Sequence, residues 1–467
     1  SSRFGSSTLA RQPSLAARPR LPSSSASSPL GEGPHMATVL VLGSGGREMA
    51  QAMALAKSPK VAKVLVAPGN GGTAAGHPKI SNLDIKETAL DDLARFAKEN
   101  GVSLVACGPE APLVIGVADK MAEVGIPCFG PTMAAAQLEN SKAWMKEFFR
   151  RHSLPTARYQ TFTDFDTAKA HVESIDYPVV VKASGLAGGK GVLIPTSKEE
   201  TIAALKTVMV DREFGDAGNQ CVVEEMLFGP ECSVLAFCDG ETAVCMPGAQ
   251  DHKRVFDNDQ GLNTGGMGAY SRCPCLTPEL AAVCADVVQR TVSALRAEGT
   301  PYVGVLFGGF MLTAQGPQLL EYNVRMGDPE TEVILPLLDS DLYEIMLSCT
   351  QGKLSEQDVR WSSDAATTVV MAAPGYPGSY PKGIPITGLE AAAGIEGVTV
   401  YHAGTKRQDD GSYVTSGGRV LAVTGRGATL KEAVACAYSG VAEIAFQCPE
   451  GAHYRKDIAA KASVAAA

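Results

Sequence analysis

From Ala37 onward the chain alternates short β-branched runs with amphipathic stretches. "ATVLVLG" is an unbroken apolar run ending in glycine. In "GREMAQAMALAKS", which follows it, small and apolar residues recur at helical spacing. Short apolar runs bounded by turn signals read as buried strands. "KVLVAPGN" predicts a second strand, "DDLARFAKENG" a helix, "VSLVACGPEAPL" a third strand, "GVADKMAEVG" a helix and "IPCFGPT" a fourth strand. Strands alternating with helices predict a parallel sheet covered on both faces. This first unit spans residues 36–138.

A second unit, 139–355, opens with the helical stretch "SKAWMKEFFRRHSL". The run "VVVKASGLAGGKGVLI" predicts two strands around a glycine loop, a hairpin in a lid subdomain over about 155–230. A helix is predicted near 198–210, and "QCVVEEMLFGPECSVLAFCDG" reads as one long strand. The third unit, 356–467, holds a strand "TTVVMAA", a strand pair around "VYHAG" and "GRVLAVTG", and the helix "TLKEAVACAYSGVAEI". The predicted class is α/β: an N-terminal parallel α/β domain, a central pair of α+β subdomains and a small C-terminal α/β domain.

Composition narrows the function. With 467 residues, 45% of them hydrophobic, two to four cores can be buried. No apolar run reaches membrane-spanning length. A net charge of −9 speaks against a general nucleic-acid binder, which needs basic patches. The twelve cysteines lack paired C-x-x-C spacing, and the near pair Cys273 and Cys275 is too close for a zinc knuckle; they read as neutral thiols in a reducing compartment. Residues 1–35 differ in kind. They hold ten Ser and four Arg but one acidic residue, Glu32, and no apolar core of a secretory signal. Such leaders read as organelle transit peptides, here plastid before mitochondrion because serine dominates, with a plain disordered tail as the alternative.

The hairpin glycine loop suggests phosphate binding, although a plain glycine-rich hairpin has the same pattern. It is not a Walker A loop, because Gly189-Lys190 is followed by Gly191 and then by a strand. As a lid it would fold its N–H groups and Lys190 over a phosphate while Lys182 reaches from the strand before it. The first turn, Gly43-Ser44-Gly45-Gly46-Arg47-Glu48, has Glu where a dinucleotide fingerprint needs glycine, and no acidic residue ends the second strand. An NAD site is therefore not expected, whereas a helix N-terminus can still hold a small phosphate. In "PQLLEYNVRMGDPETEV", Glu321 and Asn323 stand two apart on a strand and share a face with Arg325. A carboxylate and an amide oxygen suit Mg²⁺ or Mn²⁺, which take other ligands from water and phosphate. Residues 249–271 predict a long polar substrate loop. His252 within it reads, on its own, as a surface residue.

These features together resemble the ATP-grasp superfamily. Within it, "VLVLGSGGRE", "VAPGNGGT", "GPEAPLVIGVADK", "VKASGLAGGKGV", "QDHKRVFDNDQGLNTGGMGAYS", "EYNVRMGDPETEV" and "TSGGRVLAVTG" resemble the glycinamide ribonucleotide synthetases, the phosphoribosylamine–glycine ligases. Departures from the family pattern are Ser44, Met49, Ser184, Gly188, Tyr322 and Met326. The resemblance implies that ATP, glycine and 5-phosphoribosylamine give ADP, phosphate and glycinamide ribonucleotide through glycyl phosphate, an early step of purine synthesis. It implies Lys142, Lys182 and Lys190 with Gly188, Gly189 and Gly191 on the ATP phosphates, Glu224, Glu225, Met226 and Leu227 on adenosine, and Glu231 on the ribose. Glu321 and Asn323 would hold Mg²⁺ or Mn²⁺. Gly45, Gly46, Arg47, Asn70, Glu110, Asp251 and Lys253 would take glycine and phosphoribosylamine, with Arg325 on a carboxylate or phosphate. Catalytic roles fall to Lys182, Lys190, Arg325 and Asp251. No nucleic acid or membrane partner is implied, and a monomer in the plastid stroma is expected. A non-catalytic nucleotide-binding relative and a purine-pathway carboxylase are the rival readings.

Overall fold

Four strands predicted in the first unit form a parallel sheet with a fifth, Ile80–Asn82, at one edge. The order is Ile80–Asn82, Val61–Pro68, Ala37–Gly43, Leu104–Cys107, Cys128–Phe129, and every pairing is parallel. The central strand is buried on both faces, as its unbroken apolar sequence requires. It ends at Gly43 and turns into the helix Gly46–Ala56, so the glycine turn lies at the carboxyl end of the sheet. Ile80–Asn82 escaped prediction because three residues show no period. The computed structural model describes residues 36–187 and 191–463. The expected leader and the expected phosphate contacts Gly188, Gly189 and Lys190 lie outside the described residues.

The hairpin belongs to a four-stranded antiparallel sheet, Tyr159–Phe162, Cys221–Glu225, Val179–Ala183, Val192–Leu193. Its apolar side, with Val179, Val181, Ala183 and Val223, packs with Leu205 and Val208 of the helix Lys198–Met209. Lys182 stands opposite both Val192 and Val222. The stretch read as one long strand is two, Cys221–Glu225 in this sheet and Glu231–Asp239 in another. The chain breaks at Gly229, which has φ +152° and would put a Cβ 2.2 Å from the Leu312 carbonyl oxygen. Only glycine fits there.

Glu231–Asp239 lies in a nine-stranded sheet whose main path runs Gly316–Asn323, Val303–Thr313, Glu231–Asp239, Ala249–Asp251, Gly268–Ser271, Ala365–Ala372, Arg419–Gly427, Val398–His402. Hydrogen bonding is therefore continuous across residue 355. Ala365–Ala372 pairs with Gly268–Ser271 on one side and Arg419–Gly427 on the other. The expected long loop is largely structured: between its two end strands lies the hairpin Arg254–Phe256 and Gln260–Asn263. The 20-residue helix Pro278–Ala297 covers the sheet, with Cys284, Val288, Val292 and Leu295 fully buried. Among the described residues no helix is long and apolar enough to cross a membrane.

Candidate active site

The helix Lys142–Arg151 starts against the hairpin. Ser141 caps it, accepting from the Trp144 N–H at 3.2 Å. Ser184, at the hairpin's first turn, accepts from the Ala143 N–H through its hydroxyl (3.1 Å) and from the Lys142 N–H through its carbonyl (2.7 Å). Lys142 is thereby fixed beside the base of the glycine loop. One turn on, Lys146 is wholly buried. Its ammonium donates to Glu224 Oε1 at 2.7 Å and to the Thr156 hydroxyl at 2.7 Å. Lys182 approaches the other oxygen of Glu224 as an ion pair at 2.8 Å. Burial works against the charge on Glu224, yet Lys182 and Lys146 hold its pKa below the ordinary carboxylate value. Burial pushes Lys146 down to about 8 despite that partner. Lys146 is a site residue that sequence reasoning missed. Its only local signal is a lysine one turn after Lys142 on the same helix.

Glu225, the next residue, faces the opposite way. Its carboxylate pairs with Arg158 at 2.8 Å on the exposed side of the sheet, as strand alternation requires. Met226 donates its N–H to the Pro178 carbonyl at 2.9 Å, fixing the connector that leads through Leu227 to Glu231. Glu231 ion-pairs with Lys253, whose ammonium also lies 3.8 Å from Asp251. Burial raises the pKa of Asp251, and Glu231 adds to that against the pull of Lys253.

Glu321 and Asn323 stand on the edge strand, opposite Gly309 and Phe307. Tyr322 points away into the core and shares a hydrogen bond with Thr291 at 2.8 Å. Burial opposes the charge of Glu321, but Lys142, Lys182, Lys253 and Lys146 together leave its pKa lowered. Among the described residues its carboxylate makes no hydrogen bond or ion pair. An ionised, open carboxylate beside an amide oxygen fits a hard divalent cation that completes its shell from phosphates and water. Arg325 donates to Asn323 Oδ1 (3.3 Å), Glu139 Oε1 (2.9 Å) and Glu110 Oε2 (3.2 Å). It joins the metal-type pair to the first sheet.

The glycine turn forms a second cluster. Glu48 folds back so that Oε2 accepts the Gly45 N–H at 2.6 Å and Oε1 takes Arg47 Nε at 2.5 Å. Asn70 donates to the carbonyls of Ser44 (3.0 Å), Gly45 (3.3 Å) and His402 (2.7 Å). Gly45, Gly46, Arg47 and Asn70 are thus together, and the charge of Glu110 is felt at Arg47. Met49 is buried; its sulfur accepts the His402 N–H at 3.0 Å, and its side chain packs with Val370, Tyr401 and Ala422. Three further residues went unnoticed in the sequence. Asp328 pairs with Arg419 at 3.1 Å, and Arg419 also donates to the carbonyls of Gly265 (2.6 Å) and Asp328 (2.8 Å). Glu332 is fully buried with neither oxygen hydrogen-bonded among the described residues, and burial, reinforced by Asp328, raises its pKa far above the ordinary value. A Cβ on Gly46 would sit 2.5 Å from Glu332 Oε1, so the acid closes directly on the turn. His252, expected at the surface, is buried at 2% exposure, and its Nε2 accepts the Ala459 N–H at 3.3 Å.

Three family descriptions match consecutive parts of the chain. They are the phosphoribosylglycinamide synthetase N domain at 37–139, its ATP-grasp (A) domain at 140–331 and its C domain at 366–461. The phosphoribosylamine–glycine ligase of Vibrio parahaemolyticus is 46% identical over 91% of this chain and 98% of its own. The trifunctional purine biosynthetic protein adenosine-3 of Gallus gallus is 51% identical over 91% of this chain and 42% of its own. The chain spans about half the length of such multifunctional relatives. The crystal structure of the Thermotoga maritima phosphoribosylamine–glycine ligase superposes with TM-score 0.78 at 34% identity, covering 90% of this chain and all of that one. A biotin carboxylase domain from Hydrogenobacter thermophilus shares the fold at TM-score 0.68 and 18% identity, over 89% and 91% of the two chains. With the three domains matched in order and nearly all of a 46%-identical ligase covered, the chain belongs to the phosphoribosylglycinamide synthetase family.

Proposed function

We propose that the chain joins glycine to 5-phosphoribosylamine with ATP, through glycyl phosphate, to give glycinamide ribonucleotide, ADP and phosphate. A carboxylate resists amines because its leaving group would be oxide. Transfer of the γ-phosphoryl group to a glycine oxygen breaks the bond to ADP and makes phosphate the leaving group. The amine nitrogen then attacks the glycyl carbon, phosphate departs, and the nitrogen gives up its proton. Phosphoryl transfer asks the protein for positioning and charge neutralisation. The observation that carries this reading is the Glu321 carboxylate beside Asn323 on the edge strand, without a hydrogen bond or ion pair among the described residues and kept ionised by the charges of Lys142, Lys182, Lys253 and Lys146.

Lys142 and Lys182 are assigned to the ATP phosphates, as the family resemblance implies for Gly188, Gly189, Lys190 and Gly191 too. The Met226-Leu227 connector reads the base, and Glu231 with Lys253 lies toward the ribose. Glu224 acts through the two lysines it holds, and Glu225 lies off the site. Glu321 and Asn323 would hold Mg²⁺ or Mn²⁺, whose charge would offset that of the phosphates. Phosphoribosylamine is assigned to the Gly45–Arg47 turn, Asn70 and Arg419, and the glycine carboxylate to Arg325, with Glu110 and Asp251 alongside. The serine- and arginine-rich residues 1–35 support delivery to a plastid.

ADP release should require glycine and phosphoribosylamine together. Release driven by bicarbonate, or by one substrate alone at the full rate, would sink the proposal. Positional isotope exchange in ATP with glycine as the sole acceptor should reveal glycyl phosphate.

A further inference from the structure

Twelve cysteines are free, and three of them meet. Cys232 lies on the strand Glu231–Asp239, directly after Glu231, and is 2% exposed. Cys273 and Cys275 flank a proline just after the strand Gly268–Ser271, where the Leu276 N–H closes on the Cys273 carbonyl at 3.2 Å. That turn brings the Cys273 and Cys275 sulfurs to 2.9 Å, with the Cys232 thiol close enough to interact with both. This is longer than the roughly 2.05 Å of a disulfide, so Cys273 and Cys275 are thiols held close to bonding distance, and Cys232 beside them is free as well. Cys273 also lines a cavity of about 190 Å³, together with Cys245, Met246, Gly248, Arg272 and Leu276. Cys275 is half-buried and gives the cluster access to solvent.

We propose that Cys232, Cys273 and Cys275 form a thiol–disulfide exchange site for a small linear disulfide, with Cys275 as the attacking sulfur and Cys273 as the resolving one. The Cys275 thiolate attacks one sulfur of the reagent. That S–S bond breaks, and one thiolate leaves and takes a proton. Cys273 gives its proton to water and attacks the Cys275 sulfur, expelling the second thiol. Two protein thiols become one disulfide while one small disulfide becomes two thiols. The neighbouring Cys232 and Cys273 thiols lower the Cys275 thiol, the direction that favours a nucleophile. By contrast, burial raises Cys107, Cys238 and Cys349, which are inert by the same rule.

The location gives oxidation something to act on. The Cys232 thiol donates to the Ala249 carbonyl at 3.7 Å, and the Cys273 N–H to Gly248 at 3.3 Å. Both grip the strand that carries Asp251, two residues from Lys253. The inference is independent of the ligase reading. Its test uses the full chain, treated with oxidised glutathione and mapped by mass spectrometry over time. Expected is a Cys273–Cys275 disulfide, or glutathione on Cys275, forming about tenfold faster than oxidation of any other cysteine. Iodoacetamide at pH 6 should label Cys275 first in the unmodified chain, which needs no variant to fold. Cys275→Ser should abolish the fast oxidation, and Cys273→Ala should stop it at the mixed disulfide. One common rate for all the cysteines, first labelling elsewhere, or fast oxidation surviving Cys275→Ser would overturn the proposal.

Discussion

Glu224 and Glu225 are neighbours on one strand, and side-chain alternation sends them to opposite environments. Among the described residues Glu224 is the only carboxylate paired with the buried ammoniums of Lys146 and Lys182. Glu224→Gln leaves two buried cations underpaired and should cost about 3–5 kcal/mol, the usual penalty for breaking a buried ion pair. Glu225→Gln removes one exposed pair with Arg158 and should cost less than about 1 kcal/mol. Urea midpoints of the two variants decide this, and similar losses would show that Glu224 is not the anchor. Strand alternation predicts this separation, yet both residues were expected on adenosine. Which face would be cationic was not legible in the sequence, because Lys146 arrives on a helix 78 residues away in the chain.

Elements divide by how local their signals are. The first sheet's long strands and the lid hairpin were readable because each is an apolar run closed by glycine or proline. The single strand expected over 220–240 failed at Gly229, whose break is imposed by the distant Leu312 carbonyl. The expected loop at 249–271 hid a hairpin of short strands, too polar to show an apolar face. Between elements, Ser184 stands where the family commonly has Asp, yet it still ties the hairpin to the start of the Lys142–Arg151 helix. Ser184→Ala should cost about 1 kcal/mol, as for other lost helix caps. Ser184→Asp keeps an acceptor and places charge at a helix N-terminus, so it should match or exceed the natural chain. A thermal-melting series tests both. An Ala variant as stable as the natural chain would leave Ser141 as the sufficient cap.

The whole molecule is held together by side chains that cross between sheets, and no local pattern announces these. Arg419 ties the 249–271 segment to the Gly327-Asp328 turn through Gly265 and Asp328. Arg419→Lys loses the forked geometry. It should raise KM for phosphoribosylamine about tenfold and leave KM for ATP within about twofold. A matched rise in both would make Arg419 a general brace.

His402 is a second such junction. Its carbonyl accepts from Asn70 of the first unit, its Nδ1 lies 3.0 Å from the Thr405 hydroxyl, and its ring packs against Tyr413. Burial lowers its pKa to about 4, against 6.5 for an exposed histidine. Between these values the unfolded chain binds a proton that the folded chain refuses. Stability from this residue is therefore whole above pH 6.5 and lost as pH falls toward 4. From pH 7 to 5 the loss is about 2 kcal/mol. Glu330, raised by burial to about 7, and Glu332, also raised, work the other way, because the folded chain protonates them first. The net slope of the natural chain mixes both signs, so the informative quantity is a difference between chains. His402→Gln has no titration in this range. Its stability relative to the natural chain should rise by about 2 kcal/mol between pH 7 and pH 5, measured by urea unfolding at each pH. A constant difference would mean that His402 takes up its proton in the fold, and that the junction with Asn70 tolerates charge.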